Sequence, residues 1–384
     1  MDFKIKQLKK IEDLPFKQIG DLYNATYSEF YRDAGALNWE EKYAEWYFNA
    51  YHNPPDYYFT AWKGDELIAT TLGTKCTVLL DDEIELIGVS IGLTATKPEY
   101  QRQGIQKKLI QALIDRAKSD GIDFLFSFPD TTHHGHKLLK EHFEFSRINK
   151  NAEHVIKIIG DHGRWVLQNY RGLSAVLAKL AVVYAGKPEA KLSSGKIRDG
   201  NLESDDVKKV LEMINSYSKR LPLSKVWKTE EDWIKEMTNA KKLSEYYPEW
   251  KVHWWVWETN NVILATITIR TELVTFNTGT SSVALVSTSC FKDGLTIEEK
   301  EGFLATVVRR FWNEDVEDTP ESRKKNIFTV QTTQPQYEAK AFKKIKVTDD
   351  TTKYEFLILP LTEKAQEIQL RYKKINEFYI PYFR

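Results

Sequence analysis

The most constraining feature of the chain is a strand, a loop and a helix that follow one another over residues 86–121. Apolar residues alternate with small ones over residues 87–96, which is the period of two that a β-strand produces. Pro98 ends this strand. The helix that follows has apolar residues at the spacing of one buried face and ends at Gly121, the residue type preferred after a last helical turn.

The loop between this strand and this helix is rich in amides and cations. It runs from Gln101 to Lys107 and contains Gly104, which lets a backbone approach a ligand closely. The first turn of a helix presents N–H groups without partners and the positive end of the helix dipole. Because this first turn contains no Asp or Glu, we interpret it as a diphosphate cradle. The alternative is an ordinary strand–turn–helix unit with a solvated basic face.

The segment resembles motif A of the GCN5-related N-acetyltransferases (GNAT), whose pattern is Gln/Arg-x-x-Gly-x-Gly/Ala after a strand. The chain has the tripeptide Pro98-Glu99-Tyr100 and then Gln101 to Gln106, where Gln106 replaces the final small residue of the family. The resemblance implies that N–H groups of the loop hold the diphosphate of acyl-CoA and that the strand end pairs with the pantetheine arm. The residues that it assigns to cofactor binding are Thr94, Ala95, Thr96, Gln101, Arg102, Gln103, Gly104, Ile105, Gln106 and Lys107.

The predicted elements of residues 1–160 follow the order β-α-α-β-β-β-α-β-α-β, with one closing strand over residues 145–159, and this is the GNAT order. Residues 196–362 repeat that order, which indicates a second, degenerate GNAT-like domain. We therefore predict a mixed α/β (α+β) fold of two GNAT-like domains, each a mostly antiparallel twisted sheet flanked by helices. Residues 161–195 are predicted to form a helical connector, and residues 363–384 a helix with an aromatic tail.

The second predicted domain differs from the first where the corresponding helix begins. The stretch 293–299 replaces the cationic loop, and Thr296 and Glu299 have the spacing of a capping box, which satisfies the N–H groups of the helix itself. Glu298 and Glu301 add negative charge that repels a diphosphate. We therefore expect this domain not to bind CoA.

The helix predicted after residue 130 contains the candidate residues for acid–base catalysis. Many GNAT enzymes have a Tyr there, near the thiolate leaving group, inside a pattern like Tyr-x-x-x-Gly-Phe. With Phe145 at the Phe of that pattern, Lys140 takes the Tyr position, so the usual general acid is absent. The nearest titratable groups are Asp130, His133 and His136, which are the catalytic candidates, each with a capping or surface role as its alternative. These histidines have no metal-ligand spacing, so no metal is expected.

Acyl transfer to an amine requires orientation, a proton acceptor and hydrogen-bond donors for the oxyanion. Backbone N–H groups near residues 93–95 suit the oxyanion. Glu85 and the C-terminal carboxylate are two options for the proton acceptor, the second because some tandem GNAT relatives use theirs. In GNAT proteins the two helices after the first strand commonly line the acceptor site. Their aromatic residues, with core packing as the alternative, are Tyr27, Tyr31, Trp39 and Trp46.

The composition indicates which binding partners and which cellular compartment to expect for the protein. Lys and Arg together number 55 and so do Asp and Glu, so the chain is formally neutral and no nucleic acid or membrane partner is expected. The two cysteines have no paired spacing, and the first ten residues contain no apolar signal core. We therefore expect a reducing, cytoplasmic setting.

These patterns favour an acyl-CoA-dependent N-acyltransferase that acts on a small-molecule or peptide amine. Acetyl-CoA is the expected co-substrate, on the resemblance to the GNAT family alone. One alternative is a non-catalytic CoA-binding or regulatory protein, which the missing Tyr favours. The other is an aminoacyl-tRNA-dependent transferase of tandem GNAT-like fold, against which the neutral net charge argues.

Overall fold

The computed structural model describes residues 2–31, 36–80, 84–149, 154–157, 172–174, 176–177, 190–221, 223–247, 250–276, 279–315, 330–332, 348–351 and 355–372. The predicted connector at 161–195 and the aromatic tail at 373–384 lie largely or wholly outside these ranges. None of the helices in the described ranges is both long enough and apolar enough to span a bilayer.

The first part of the chain alternates strands and helices much as its periodicity predicts. Its strands are β1 (Lys4–Leu8), β2 (Ala36–Leu37), β3 (Tyr57–Lys63), β4 (Glu66–Leu80), β5 (Ile84–Thr96), β6 (Phe124–Ser127), β7 (Ser146–Asn149) and β8 (His154–Lys157). Its helices are α1 (Phe16–Tyr31), α2 (Glu41–Tyr51), α3 (Ile105–Ser119) and α4 (His134–Lys137), which continues as a π-helical turn at Leu138–His142.

The second part of the chain repeats this alternation. Its strands are β9 (Lys196–Asp199), β10 (Leu223–Lys225), β11 (Val252–Thr259), β12 (Val262–Phe276), β13 (Gly279–Phe291), β14 (Val330–Thr332), β15 (Thr348–Thr351) and β16 (Phe356–Pro360). Its helices are α5 (Asp206–Lys219), α6 (Glu230–Lys241), α7 (Leu243–Tyr246), α8 (Ile297–Asp315) and α9 (Glu363–Tyr372).

Two eight-stranded sheets contain all the described strands. The first has the order β1-β3-β4-β5-β6-β16-β7, with β10 paired to β4, and the second has the order β15-β8-β14-β13-β12-β11-β9, with β2 paired to β12. Among the described strands, only the pairs β5–β6 and β13–β14 are parallel. The predicted mixed fold of two mostly antiparallel sheets flanked by helices is confirmed.

The two sheets exchange strands, which the sequence pattern does not predict. Strand β16, near the C-terminus, lies between β6 and β7 in the first sheet, and β8 lies between β14 and β15 in the second. The single closing strand predicted at 145–159 is therefore wrong, because β7 and β8 are separate strands of different sheets. The ranges 1–160 and 196–362 stay a prediction about domains, and strands of both sheets cross them.

Helices cover both faces of the first sheet and also bridge the two sheets. On strand β3, Tyr58 packs with α1 and α2 in one buried cluster, while its neighbour Phe59 packs with α3 in another. The cluster that contains α1 and α2 continues through α5 and α6 to Trp254 of β11. The next residue, Trp255, faces the opposite side of the second sheet, where it packs with α8. The four helices α1, α2, α5 and α6 therefore share one core between the sheets.

Truncation of a buried side chain on the exchanged strand β16 tests how much this strand contributes to stability. Ile358 is fully buried between β6 and β7. We expect Ile358→Ala to lower the free energy of unfolding by about 2–5 kcal/mol, because it leaves a cavity in the core. Urea denaturation followed by tryptophan fluorescence measures this change. The matched control is Leu370→Ala on the exposed side of α9, with an expected change under about 0.5 kcal/mol. Equal effects of the two variants would show that the β16 contacts contribute little.

Candidate functional site

A β-bulge interrupts strand β5 close to its C-terminal end. The register of the β4–β5 ladder shifts between Thr70 and Leu72, so that Leu93 and Thr94 lie opposite the single residue Thr71. The φ angle of Leu93 is +43°, a backbone conformation that a branched side chain rarely adopts. A bulge bends its strand and places one extra residue outside the ladder. The end of β5 is therefore turned away from the regular path of the sheet.

Strands β5 and β6 pair over only a short stretch and then separate. Residues 88–90 of β5 pair in parallel with residues 124–126 of β6. One residue further along, the Ser127 hydroxyl donates a hydrogen bond of 2.9 Å to the carbonyl oxygen of Ile91. Beyond this point the bulged end of β5 leaves β6, and a split opens between two strands in the middle of the sheet.

A cavity of about 540 Å³ continues from this split toward the helices between the two sheets. At the split, its wall includes Ile91, Phe128 and Leu139. Further along, helix α2 and the residues on either side of it contribute aromatic side chains, and α6 from the second part of the chain contributes polar ones. The cavity is therefore lined by both apolar and polar residues at the strands, and by polar residues where the second part of the chain closes it.

The predicted diphosphate cradle lies at the mouth of the split, at the start of α3. Gly104 is the residue before the helix and has φ +75°, and Arg102 also has a positive φ of +60°. No side chain caps this helix start, and its first turn contains no acidic residue. Within the described part of the chain, the N–H groups of residues 103–107 have no hydrogen-bond acceptor. Because Arg102, Gly104 and Lys107 are exposed, this turn faces solvent with its donors unused.

Gln106, the residue that departs from the family pattern, does not block the exposed side of this loop. Its side-chain amide donates to the carbonyl oxygens of Thr70 (3.0 Å) and Ala95 (2.5 Å), at the junction of β4 and β5. The carbonyl oxygens of Thr94 and Thr96 accept hydrogen bonds from the side chains of Tyr27 and Gln101, respectively. The three predicted pantetheine-binding residues of the strand thus already bond to neighbouring side chains, and their assignment stays a prediction.

The three predicted catalytic residues, Asp130, His133 and His136, all line the cavity. Asp130 accepts hydrogen bonds from the backbone N–H (2.8 Å) and the hydroxyl (2.6 Å) of Thr132, so it caps the turn before α4. His133 is half-buried at the same turn. The ring of His136 bonds to a buried carboxylate, since its Nε2 atom lies 2.7 Å from Glu355.

Three basic side chains contact the carboxylate of Glu355 beneath the split between β5 and β6. Glu355 is 8% exposed and immediately precedes β16. Its carboxylate contacts Lys140 and Arg147 at 3.3 Å each, in addition to His136. Burial raises the pKa of the Glu355 carboxyl, but the hydrogen bonds from His136 and Arg147 and the charge of Lys140 outweigh burial and hold that pKa below its ordinary value. Sequence reasoning missed Glu355 because it lies 219 residues from His136 and no local pattern marks it.

The predicted acceptor-site aromatics have different positions. Tyr27 and Trp39 line the cavity. Trp46 is buried in the core, where its indole N–H donates to the carbonyl oxygen of Ala240 in α6. The side chain of Tyr31 lies outside the described residues, as does the C-terminal carboxylate. Glu85, the other predicted proton acceptor, is exposed and forms an ion pair with Lys228, away from the cavity lining.

Helix α8, which corresponds to α3 in the second part of the chain, has the predicted capping box. The backbone N–H of Thr296 donates to the Glu299 carboxylate at 2.8 Å, and the N–H of Glu299 donates to the Thr296 hydroxyl at 3.2 Å. Two donors that an anion would need are thus already satisfied. That this part of the chain does not bind CoA stays a prediction.

Comparison with known proteins places this geometry among acyltransferase folds. Residues 16–145 match the model of the acetyltransferase (GNAT) family. A structure of Saccharomyces cerevisiae N-myristoyltransferase with bound myristoyl-CoA and inhibitors is similar, with a TM-score of 0.69, 13% identity and coverage of 93% of this chain and 80% of that chain. A second structure of that enzyme with bound myristoyl-CoA has a TM-score of 0.66 and 11% identity, with coverage of 93% of this chain and 82% of that chain.

A third similar structure is a GCN5-related N-acetyltransferase from Anabaena variabilis, with a TM-score of 0.56 and 10% identity. The match covers 94% of this chain and 73% of the Anabaena variabilis chain. At such identities the likeness establishes the fold alone. No curated protein sequence matches the chain.

A charge reversal at the start of α3 tests the cradle. A side chain at Gly104 would meet no atom within 4 Å, so Gly104→Glu places a carboxylate in open space beside the unused N–H groups. We expect this variant to lose measurable acetyl-CoA affinity in calorimetric titration, because the added charge repels a diphosphate. The matched control is Gly121→Glu, since Gly121 also has a positive φ and open space but lies at the other end of the same helix. An equal loss of affinity in both variants would refute the cradle.

Proposed function

We propose that the chain is an acyl-CoA-dependent N-acyltransferase of the GNAT superfamily, because residues 16–145 match the family model and the fold agrees. The observation that carries this proposal is the uncapped start of α3 beside the split between β5 and β6. A diphosphate group and the arm attached to it fit this pair of features. The cavity behind the split then provides a place where an acyl group and an amine can meet.

The start of α3 would bind the diphosphate through the N–H groups of residues 103–107, with Arg102 as an exposed cation beside them. The split would hold the pantetheine arm. The thioester would then lie at the bulge of β5, where N–H groups of residues 93–95 are our proposed oxyanion donors. Acetyl-CoA is the proposed co-substrate, and the cavity has room beyond an acetyl group for the acceptor or for a longer acyl chain.

His136 is our proposed general acid for the thiolate leaving group. It lies one helical turn before Lys140, the residue at the family's Tyr position, and it lines the cavity at the split. The Glu355 carboxylate accepts the Nε2–H of His136, which leaves Nδ1 to exchange a proton with the reacting groups. Glu355 is therefore a positioning residue in this proposal, as a carboxylate is when it orients a catalytic imidazole.

The acceptor is proposed to be a small-molecule or peptide amine that enters from the side of α2 and α6. Aromatic residues such as Trp39 and Tyr47 line that end of the cavity, together with polar residues of α6 such as Asn239. A non-catalytic CoA-binding protein is the second candidate. The observation that favours it is that Lys140, at the Tyr position, is engaged by Glu355 rather than directed to a leaving group.

The proposal is tested by titrating acetyl-, octanoyl- and myristoyl-CoA into the intact protein and then measuring release of free thiol with a panel of amines. The panel contains glycinamide, ethanolamine, putrescine, phenethylamine and a glycine-initiated tripeptide. Binding of one acyl-CoA at a single site, with amine-dependent thiol release, is the expected result. Binding without release for any amine would favour the second candidate, and no binding of any acyl-CoA would refute the proposal.

Substitution of the proposed acid separates catalysis from binding. We expect His136→Gln to reduce kcat by about a hundredfold, because proton transfer from a positioned group contributes roughly that much, and to leave acetyl-CoA affinity unchanged. Glu355→Gln keeps the size of the side chain, and we expect it to shift the alkaline limb of the rate–pH profile, the limb that a general acid controls. The matched control is His134→Gln, since His134 is exposed and does not line the cavity. An unaltered kcat in His136→Gln would remove His136 from the mechanism.

A further inference from the structure

His52 is a buried histidine in the lining of the same cavity as His136. It follows the last residue of α2, is 7% exposed and belongs to the cavity lining. Its Nδ1 atom lies 3.3 Å from the hydroxyl of Thr74, which is also part of the lining. Its Nε2 atom is buried, and the described part of the chain offers it no hydrogen-bond partner.

The surroundings of His52 keep its ring uncharged. The rings of Tyr47 and Phe48 lie with their centroids 5.2 and 5.6 Å from the imidazole. Burial, together with the positive charge of Arg270, lowers the pKa of His52 to about 3. The ring is therefore a neutral imidazole at physiological pH, with one donor nitrogen and one acceptor nitrogen.

A buried nitrogen without a partner is uncommon in folded proteins, since desolvation without a compensating hydrogen bond is unfavourable. Because the His52 ring lines the cavity, a bound ligand toward which the ring turns can satisfy this atom. Two of the three histidines that line the cavity, His136 and His52, also have opposite neighbours. His136 bonds to the carboxylate of Glu355, whereas His52 experiences the charge of Arg270. Contrasting environments of this kind divide acid and acceptor roles between two titratable residues.

We propose that His52 binds the acceptor amine: its Nδ1–H donates to Thr74, and its Nε2 accepts a hydrogen bond from the N–H of the uncharged amine. This assignment rests on the proposed acyltransferase function and adds the form of the acceptor that the site selects. An ammonium ion has no lone pair with which to attack a thioester, and the charge of Arg270 opposes it at this position. A neutral amine held at Nε2 keeps its lone pair for attack.

The direct test is nitrogen NMR on the full-length protein labelled with ¹⁵N-histidine, with the His52 resonances assigned through His52→Leu. The probes are 2,2,2-trifluoroethylamine, which is uncharged at neutral pH, and ethylamine, which is protonated. The Nδ1–H form is expected without a probe, and trifluoroethylamine should shift the Nε2 resonance while ethylamine should not. An Nε2–H form, no shift with trifluoroethylamine, or equal shifts with both probes would overturn the assignment.

A kinetic test uses the amine of the panel that gives the fastest thiol release. We expect His52→Leu to raise the KM for this amine about tenfold, since a buried hydrogen bond to the substrate is lost, and to leave the Kd for acetyl-CoA unchanged. Thr74→Val, which removes only the hydroxyl beside Nδ1, should give a smaller increase. The control is His134→Leu. An unchanged KM in His52→Leu would overturn the role of His52 and leave the acyltransferase proposal intact. A protein that binds no acyl-CoA but still shows the NMR shift would refute the acyltransferase proposal and leave amine binding at His52 intact.

Discussion

The insertion of β16 between β6 and β7 is the contact on which the site depends. Strand β6 pairs with β5 over three residues only, but its other edge pairs with β16 over residues 357–360. Because backbone hydrogen bonds to β16 hold the other edge of β6, β6 can diverge from β5 without leaving the sheet. The same insertion places Glu355 beneath the split, where it orients His136. One strand thus holds the outer edge of β6 at the split and places a carboxylate beside our proposed general acid.

The electrostatics of the site follow from which groups the fold leaves without partners. The start of α3 is uncapped and keeps its N–H donors free for an anion, whereas the start of α8 uses its donors on Thr296 and Glu299. The corresponding helices of the two halves therefore differ in a local feature, a capping box, and this feature separates our proposed ligand site from a structural helix. The lining of the cavity adds His52, whose buried Nε2 has no hydrogen-bond partner in the described part of the chain.

Local features of the fold and of the site were predictable from the sequence, and long-range ones were not. The strand, loop and helix of residues 86–121 and the capping box of α8 depend on neighbours within a few residues, so periodicity and cap residues reveal them. The strand exchange has no such signal, because β16 reads as an ordinary apolar strand whichever sheet it joins. His52 was missed for the same reason, since its place in the cavity depends on Thr74 and Arg270 and not on its neighbours in sequence.

The second half of the chain has a structural reason to be present even if it binds no CoA. A GNAT-like sheet alone leaves the end of the cavity beyond α2 open to solvent, and here α6 covers that end with residues such as Glu236. The shared core of α1, α2, α5 and α6 fixes α6 against α2, with Trp46 bonded across to Ala240. Because an amine attacks best from an enclosed, oriented position, a wall held by a buried core suits acceptor binding. The first half thus supplies the proposed cofactor site and the second half one wall of the proposed acceptor site, and the exchanged strands hold the two halves together.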